Sequence, residues 1–132
     1  MSIAYLDTSA ALKLVVEESE SAALARYLTE RSELALVASW LLYTEMHCAA
    51  ARRPGLLSVE TVREVLDQVE FVDISRKDLI DAASLAPLRS NNALHLSVAL
   101  RLEVNEFITY DRELIDAAER LGMRAVSPAG SG

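Results

Sequence analysis

Short apolar runs that alternate with longer stretches of helical spacing constrain the fold of this chain more than any other feature of its sequence. The runs typical of strands are residues 3–6, 34–38, 71–74, 107–110 and 124–126. Neighbouring parallel strands need a crossover connection, usually a helix, so strands separated by helices predict a parallel sheet with helices on both faces. Short apolar strands are also typical of burial on both faces. We therefore predict an α/β fold of three layers, with a central, mostly parallel sheet of four to five strands flanked by helices.

The stretches between these runs have the apolar periodicity of helices. Leu94, Val98 and Leu102, for example, recur every four residues and share one helix face. The predicted helices are residues 8–16, 21–31, 40–53, 58–68, 76–85, 93–102 and 112–121. Asn92 precedes the sixth of these helices, and Gly122 ends the last one.

Length and composition are those of an ordinary folded domain. The chain has 132 residues, of which 52% are hydrophobic and 25% charged, and this suits one globule with a single core. We see neither a linker nor a repeat, so we predict one domain over residues 1–128 and a short tail over 129–132. The longest uncharged run has eleven residues, 34–44, whereas a bilayer-spanning helix needs about 20. No membrane partner is therefore expected.

Charge and cysteine content bear on the partner and on the compartment. Thirteen basic and 20 acidic residues give a net charge of −7, which argues against binding nucleic acid through a blanket of positive charge but not against a local site. The first ten residues include Asp7 and no basic residue, unlike a secretory signal. Cys48 is the only cysteine, which suits a reducing compartment, and we expect it to be a small buried residue. The predicted location is the cytoplasm.

Several enzyme classes lack the residues that their chemistry needs. Glycine occurs at positions 55, 122, 130 and 132 alone, so there is neither a phosphate-binding P-loop nor a dinucleotide-binding fingerprint. His47 and His95 do not have the spacing of zinc ligands, and we expect both to be surface or core-edge residues. Ser97 and His95 are two residues apart on one predicted helix and point to different faces, which argues against a nucleophilic triad.

Three acidic residues have positions that suggest a site. Asp7 and Asp111 each follow a predicted strand, and the carboxyl ends of parallel strands form the ligand crevice of such sheets. Glu45 lies in an otherwise uncharged stretch, where an acid must be solvated or partnered. Clustered carboxylates without His or Cys favour magnesium or manganese, and such an ion suits phosphodiester hydrolysis. The residues leave open that Asp7 and Asp111 are helix N-caps and that Glu45 is a surface residue.

The segments around these acids resemble one known family. They are YLDTSAALK, LLYTEMHCAA, and the pair ALHLSVAL and FITYDREL. Together, over nearly the whole chain, they resemble the PIN-domain family and, within it, the VapC-type ribonuclease toxins of toxin–antitoxin pairs. The resemblance implies a PIN-like three-layer sandwich and an endoribonuclease that depends on Mg²⁺, with Mn²⁺ as a substitute. It also implies a homodimer, an RNA substrate and silencing by a cognate VapB-type antitoxin.

The resemblance also implies roles for individual positions. Asp7, Glu45 and Asp111 match three acids of the family, whereas Asn92 stands where the family has an aspartate directly before ALHL. The implied metal ligands are Asp7, Asn92 and Asp111, with Glu45 acting through a water molecule. An amide oxygen can still coordinate a metal, but the missing charge lowers the affinity for a divalent ion. We therefore expect this chain to be a disarmed nuclease.

Two origins of Asn92 are open. An active toxic nuclease is difficult to overproduce, so we favour an engineered replacement of aspartate by asparagine. The other origin is natural divergence, in which Asn92 is retained as the cap of the helix that follows.

Five more residues are candidates for supporting roles. Thr109 and Ser9 lie at the same strand ends, where they can hydrogen-bond a ligand, although we favour a structural role for both. Arg112 lies in the first turn of its predicted helix, where the helix dipole disfavours a cation, so it is a candidate contact for an RNA phosphate. Arg89 and Lys13 are weaker candidates for the same role.

Two other functions compete with an RNA-cleaving toxin. The first is a catalytically inactive PIN-like module that binds RNA or an antitoxin without cleaving. The second is a phosphoacceptor receiver domain, which shares the parallel sheet. We rank the receiver domain low because the chain lacks both a paired acid near the first strand and a lysine after the last one.

Overall fold

A parallel sheet of five strands forms the centre of the structure, a computed structural model that describes residues 2–130. The strands are β1 (Ser2–Leu6), β2 (Leu34–Ser39), β3 (Glu70–Val72), β4 (Glu106–Ile108) and β5 (Ala125–Val126). Their order in the sheet is β3-β2-β1-β4-β5, and each pairing is parallel. The predicted α/β fold with a mostly parallel sheet is confirmed. Met1 and residues 131–132 of the predicted tail lie outside the described residues.

Helices follow each of the strands β1 to β4, as parallel connections require. They are α1 (Thr8–Lys13), α2 (Ser21–Glu30), α3 (Trp40–Arg52), α4 (Val59–Leu66), α5 (Arg76–Ala83), α6 (Ser90–Leu102) and α7 (Arg112–Arg120). Gly122 comes just after α7 with a φ of +80°, a left-handed conformation that glycine adopts without strain. Within residues 2–130, no helix is both long and apolar enough to span a bilayer.

The middle strand β1 is packed on all sides. Its last three residues, Ala4, Tyr5 and Leu6, have no exposed surface. The ring of Phe107 on β4 stacks on that of Tyr5, with 5.4 Å between centroids and 3° between planes. Helices α3 and α6 add further fully buried side chains, Leu42, Met46, Leu96 and Val98. This close packing fixes the end of β1, where the polar residues begin.

The polar residues lie at one edge because three neighbouring strands end together. Leu6 pairs with Ile108, and Tyr5 pairs with Val37, so the chains leaving β1, β4 and β2 emerge side by side. Asp7 directly follows β1, and Thr109 directly follows β4. Helices α1, α3 and α7 begin at this edge, which is the carboxyl edge predicted to hold the site.

Two local expectations are wrong. Helix α6 begins at Ser90 rather than at residue 93, because the N–H of Ala93 donates to the carbonyl of Arg89 at 2.8 Å. Asn92 therefore lies inside the first turn and does not cap the helix. Cys48 is exposed rather than buried, since a helical turn of 3.6 residues rotates it away from the side of α3 that buries Met46.

Two serines at helix starts offer a matched test of stability. Ser75 forms a capping box at α5, in which its hydroxyl accepts from the N–H of Asp78 at 3.1 Å and the Asp78 carboxylate accepts from the N–H of Ser75 at 2.9 Å. Ser39 precedes α3, but its buried hydroxyl has no partner among the described residues. We expect Ser75→Ala to lower the free energy of unfolding by about 1 kcal/mol and Ser39→Ala to leave it unchanged or raise it. Urea unfolding measures both free energies. Equal losses of stability would contradict the assignment of Ser75, and not Ser39, as a capping side chain.

Candidate active site

Asp7 is the most deeply buried acid at the carboxyl edge, with 2% of its surface exposed. It caps α1 by accepting a hydrogen bond from the N–H of Ala10 at 3.0 Å. The hydroxyls of Ser9 and Thr109 also donate to its carboxylate, both at 2.8 Å. Burial raises the pKa of Asp7, and these donors only partly offset that effect. Asp7 is thus an N-cap, one of the alternatives that the sequence left open, and its role as a metal ligand stays a prediction.

Ser9 and Thr109 join the ends of two strands through hydrogen bonds, which is the geometry of the structural role favoured for both; that role stays a prediction. Thr109 accepts from the N–H of Asp111 at 3.1 Å while its hydroxyl donates to Asp7. Ser9 accepts from the N–H of Tyr110 at 2.9 Å. The two hydroxyls therefore tie the chain after β1 to the chain after β4.

Asp111 is linked directly to Asn92. One oxygen of Asp111 caps α7 by accepting from the N–H of Leu114 at 3.2 Å. The other oxygen accepts from the side-chain nitrogen of Asn92, also at 3.2 Å. Asn92 thus turns its hydrogen-bond donor, rather than its amide oxygen, towards the acid.

Glu45 is held by three donors from two other helices. The hydroxyl of Thr8 donates to Oε1 at 2.6 Å, and the ring nitrogen Nε2 of His95 lies 2.6 Å from the same oxygen. The side-chain amide of Asn91 donates to Oε2 at 3.1 Å. Burial works to raise the pKa of Glu45, but His95, Thr8 and Asn91 together outweigh it and lower that pKa below its usual value.

The predicted residues therefore lie along two adjacent networks. Asp7, Thr109, Asp111 and Asn92 form one, and Glu45 belongs to the other. The networks adjoin at two places in the chain, because residues 7 and 8 are consecutive and so are residues 91 and 92. The structure thus brings the predicted acids and Asn92 to one edge of the sheet.

Asn91 and His95 are the contacts that the sequence interpretation missed. His95 is 1% exposed, so it belongs to the interior of the site rather than to the surface. Residues four apart on a helix lie on one face, so Asn91 and His95 can approach Glu45 together. That spacing was the available signal, but it becomes informative only once α6 is known to begin at Ser90.

The donor set fits a divalent cation only in part. Carboxylate oxygens are suitable ligands for Mg²⁺ and Mn²⁺. Asn92, however, presents an N–H group to Asp111, and its position carries no negative charge. Within residues 2–130, no group of three or more His, Cys, Asp or Glu side chains is placed to hold a metal ion. The residues of this chain therefore do not fit the complete metal site that the resemblance implies.

Three basic residues predicted to contact phosphate differ in their surroundings. Arg112 and Arg89 are exposed, and neither has an ion-pair partner among the residues that the structure describes. Lys13 is paired with Glu20 at 2.8 Å and with Glu18 at 3.3 Å. Arg112 directly follows Asp111, which makes it the cation nearest in sequence to the acids. Phosphate binding by these three residues stays a prediction.

Comparison with known proteins identifies the family. The PIN domain profile matches residues 4–120, which is most of the chain. The chain belongs to the PIN-domain family. It is 37% identical over 133 residues to Ribonuclease VapC46 of Mycobacterium tuberculosis, covering 98% of this chain and 100% of that relative. It is also 37% identical over 130 residues to Ribonuclease VapC35 of the same species, covering 94% and 96% of the two chains. These relatives place it in the VapC group of the PIN-domain family.

Solved structures support the same fold. The VapBC2 structure from Rickettsia felis, bound to a DNA fragment from its promoter, gives a TM-score of 0.70 at 14% identity and covers 94% of this chain and 97% of that one. A toxin–antitoxin complex from Klebsiella pneumoniae gives 0.69 at 20% identity, covering 95% and 97%. At these identities the likeness concerns the fold, and the PIN-like architecture expected from the sequence is confirmed.

The opposite pKa directions of Asp7 and Glu45 predict opposite effects on stability when each acid is replaced by its amide and unfolding is measured in EDTA. The raised pKa of Asp7 means that its ionisation opposes folding, so stability is lost as pH rises from the unfolded-state pKa to the folded-state pKa. The lowered pKa of Glu45 means that its ionisation favours folding, and this contribution is lost as pH falls. At pH 7 we expect Asp7→Asn to raise the free energy of unfolding and Glu45→Gln to lower it by about 1 kcal/mol. Urea unfolding measures both free energies. Changes of the same sign for the two substitutions would contradict the prediction.

Proposed function

We propose that this chain is a VapC-type toxin of a toxin–antitoxin system, with the fold of a divalent-metal-dependent endoribonuclease, and that Asn92 disarms it. One observation carries the proposal. The three acids lie at the carboxyl edge of a PIN fold, and the fourth position of the cluster holds an amide that donates to Asp111 at 3.2 Å. The relatives named Ribonuclease VapC support RNA as the substrate.

The proposed roles follow the arrangement of the side chains. Asp7, Asp111 and the side chain at position 92 are the proposed metal ligands, and Glu45 is proposed to act through a water molecule. A divalent ion, if these residues held one, would supply charge neutralisation and water activation for phosphodiester hydrolysis. Asn92 removes one ligand charge, and its amide already satisfies an oxygen of Asp111. This is why we propose that the chain binds such an ion weakly and cleaves poorly or not at all.

The protein's own residues preorganise the acids before any ligand arrives. The donors from Ser9, Thr109 and the start of α1 fix the orientation of Asp7. The lowered pKa of Glu45 keeps its carboxylate ionised at neutral pH, so it can accept a hydrogen bond from a water molecule. Carboxylates whose orientation is already fixed need little rearrangement when a ligand binds.

The proposed partners are a cognate VapB-type antitoxin, RNA and a second copy of the chain. The antitoxin is supported by fold neighbours that are toxin–antitoxin complexes. The homodimer rests on the family resemblance, and the proposed cytoplasmic location rests on the absence of a secretory-signal pattern and on the single cysteine. Arg112 and, as weaker candidates, Arg89 and Lys13 are proposed to contact the RNA backbone beside an acidic pocket that would otherwise repel it.

A PIN module that binds RNA or an antitoxin without cleaving is the second candidate. The bond from Asn92 to Asp111 favours it, because it satisfies the acidic site internally without a cation. The two candidates differ in what the remaining acids do. In a disarmed nuclease they become essential when the charge at position 92 is restored, whereas in a binding module they stay dispensable.

Asn92→Asp tests the nuclease assignment. The substitution restores one negative charge beside Asp111, and we expect it to produce RNA cleavage that requires Mg²⁺ or Mn²⁺. The measurement is cleavage of total cellular RNA with mapping of the cut sites, in either metal and in EDTA.

The matched control is Asn91→Asp, which adds the same charge at the neighbouring position that faces Glu45. We expect it to stay inactive. Adding Asp7→Asn to Asn92→Asp should abolish the restored cleavage. If the Asn92→Asp protein cleaves no RNA with either metal, the nuclease assignment is lost.

Arg112→Gln tests the proposed RNA contact in the Asn92 chain, where the expected lack of cleavage allows equilibrium binding to be measured. Losing one phosphate contact should weaken binding of single-stranded RNA and reduce the slope of log K against log salt by about 0.7. Lys77→Gln removes the same charge from a residue that is already paired with Asp81 and is not among the predicted phosphate contacts, so it should change the slope little. Equal effects of the two substitutions would show general electrostatics instead of a contact at Arg112.

A further inference from the structure

His95 is a buried polar group that the proposed function leaves without a role. Its ring joins the core of the domain to the acidic edge. On one side, Nδ1 lies 2.7 Å from the hydroxyl oxygen of Tyr5. On the other side, Nε2 lies 2.6 Å from Oε1 of Glu45 and 3.2 Å from the hydroxyl of Thr8. A ring that bridges two such partners can transmit the rigidity of one to the other.

The hydrogen bonds of Tyr5 decide which ring nitrogen of His95 carries the proton. The N–H of Ser39 donates to the Tyr5 oxygen at 3.1 Å, so the phenol already accepts one hydrogen bond. Its own proton needs an acceptor because the side chain is fully buried. Among the described residues, Nδ1 of His95 is the remaining partner of that oxygen. Nδ1 therefore accepts, and Nε2 carries the hydrogen that points at Glu45.

Tyr5 is itself held rigidly. It lies on the middle strand, its ring stacks on Phe107, and His95 packs edge-on against it with 5.6 Å between ring centroids. A fixed phenol therefore orients the imidazole, and a fixed imidazole orients the carboxylate. In other proteins, too, the hydrogen bond at one ring nitrogen of a histidine determines the tautomer and orients the other ring nitrogen.

We propose that His95, locked by Tyr5 as the Nε2–H tautomer, is the positioning residue for Glu45. The functional part of this proposal rests on the proposed nuclease, since Glu45 is there the residue that acts through water. His95 and Thr8 both occupy Oε1, whereas Oε2 has Asn91 as its single donor. Each carboxylate oxygen has about two acceptor sites. The oxygen left free to accept from a water molecule is therefore Oε2.

The chain contains its own reference for a spectroscopic test, because it has two histidines. Nδ1 of His47 lies 2.9 Å from the carbonyl oxygen of Tyr43, which can only accept, so His47 must carry its hydrogen on Nδ1. A two-dimensional ¹⁵N–¹H spectrum of the imidazole rings, recorded above pH 8 on the full chain in EDTA, should show opposite tautomers for His47 and His95.

Tyr5→Phe retains the stacked ring and removes the proton donor. We expect it to shift the ring nitrogens of His95 and to leave those of His47 unchanged. Observation of Nδ1–H at His95 in the unsubstituted chain, or an unchanged His95 spectrum in Tyr5→Phe, would overturn the proposal. This test requires neither metal nor cleavage.

The functional test uses the Asn92→Asp background. Glutamine can place its amide N–H where Nε2 lies, whereas leucine fills the space without a donor. We expect His95→Leu to lower kcat by about 10- to 100-fold with little change in KM, and His95→Gln to recover most of that loss. Equal activity of the two variants would overturn the positioning role. If Asn92→Asp itself is inactive, the nuclease assignment fails, and the ring spectra still decide the orientation of His95 towards Glu45.

Discussion

A carboxylate buried at the end of the central strand is the constraint on which the rest of the site depends. Asp7 has almost no exposed surface, and a buried charge is unfavourable unless nearby donors compensate it. The start of α1 supplies one donor, and the hydroxyls of Ser9 and Thr109 supply two more. Because Thr109 follows β4, satisfying Asp7 also fixes that strand end and, through Thr109, the backbone of Asp111. The need to compensate the buried charge of Asp7 therefore holds the ends of β1 and β4 in fixed positions.

Two acids at the carboxyl edge accept hydrogen bonds from side-chain amides, although the family resemblance implies a cation at this edge. Asn92 donates to Asp111, and Asn91 donates to Glu45, so two consecutive side chains of α6 each reach one acid. An amide donor provides a partial positive charge without requiring a ligand. The net charge of −7 says little about affinity for nucleic acid, since part of the negative charge is concentrated at this one edge of the sheet.

Agreement between sequence and structure was good where local periodicity carried the information. The strands and the helices occur where apolar runs and helical spacing predicted them. The start of α6 was missed because its first turn presents polar residues, Ser90 and Asn91, to solvent and adds nothing to the apolar pattern. Asp7, Glu45 and Asp111 were found because an acid beside a buried strand or within an uncharged stretch is conspicuous. The role of His95 was not found, because a lone histidine on an apolar helix face has no distinctive local pattern.

The sequence by itself determined the class of fold, the edge of the sheet at which the acids meet and the residue that departs from the family pattern. These depend on periodicity and on residue type, which are local properties. Only the tertiary structure decided which group each acid contacts, because those partners lie far apart in the chain. Glu45 and His95 are 50 residues apart, and Asp7 and Thr109 are 102 apart. The direction of a hydrogen bond, such as that from Asn92 to Asp111, is set by packing of whole elements and has no counterpart in local sequence.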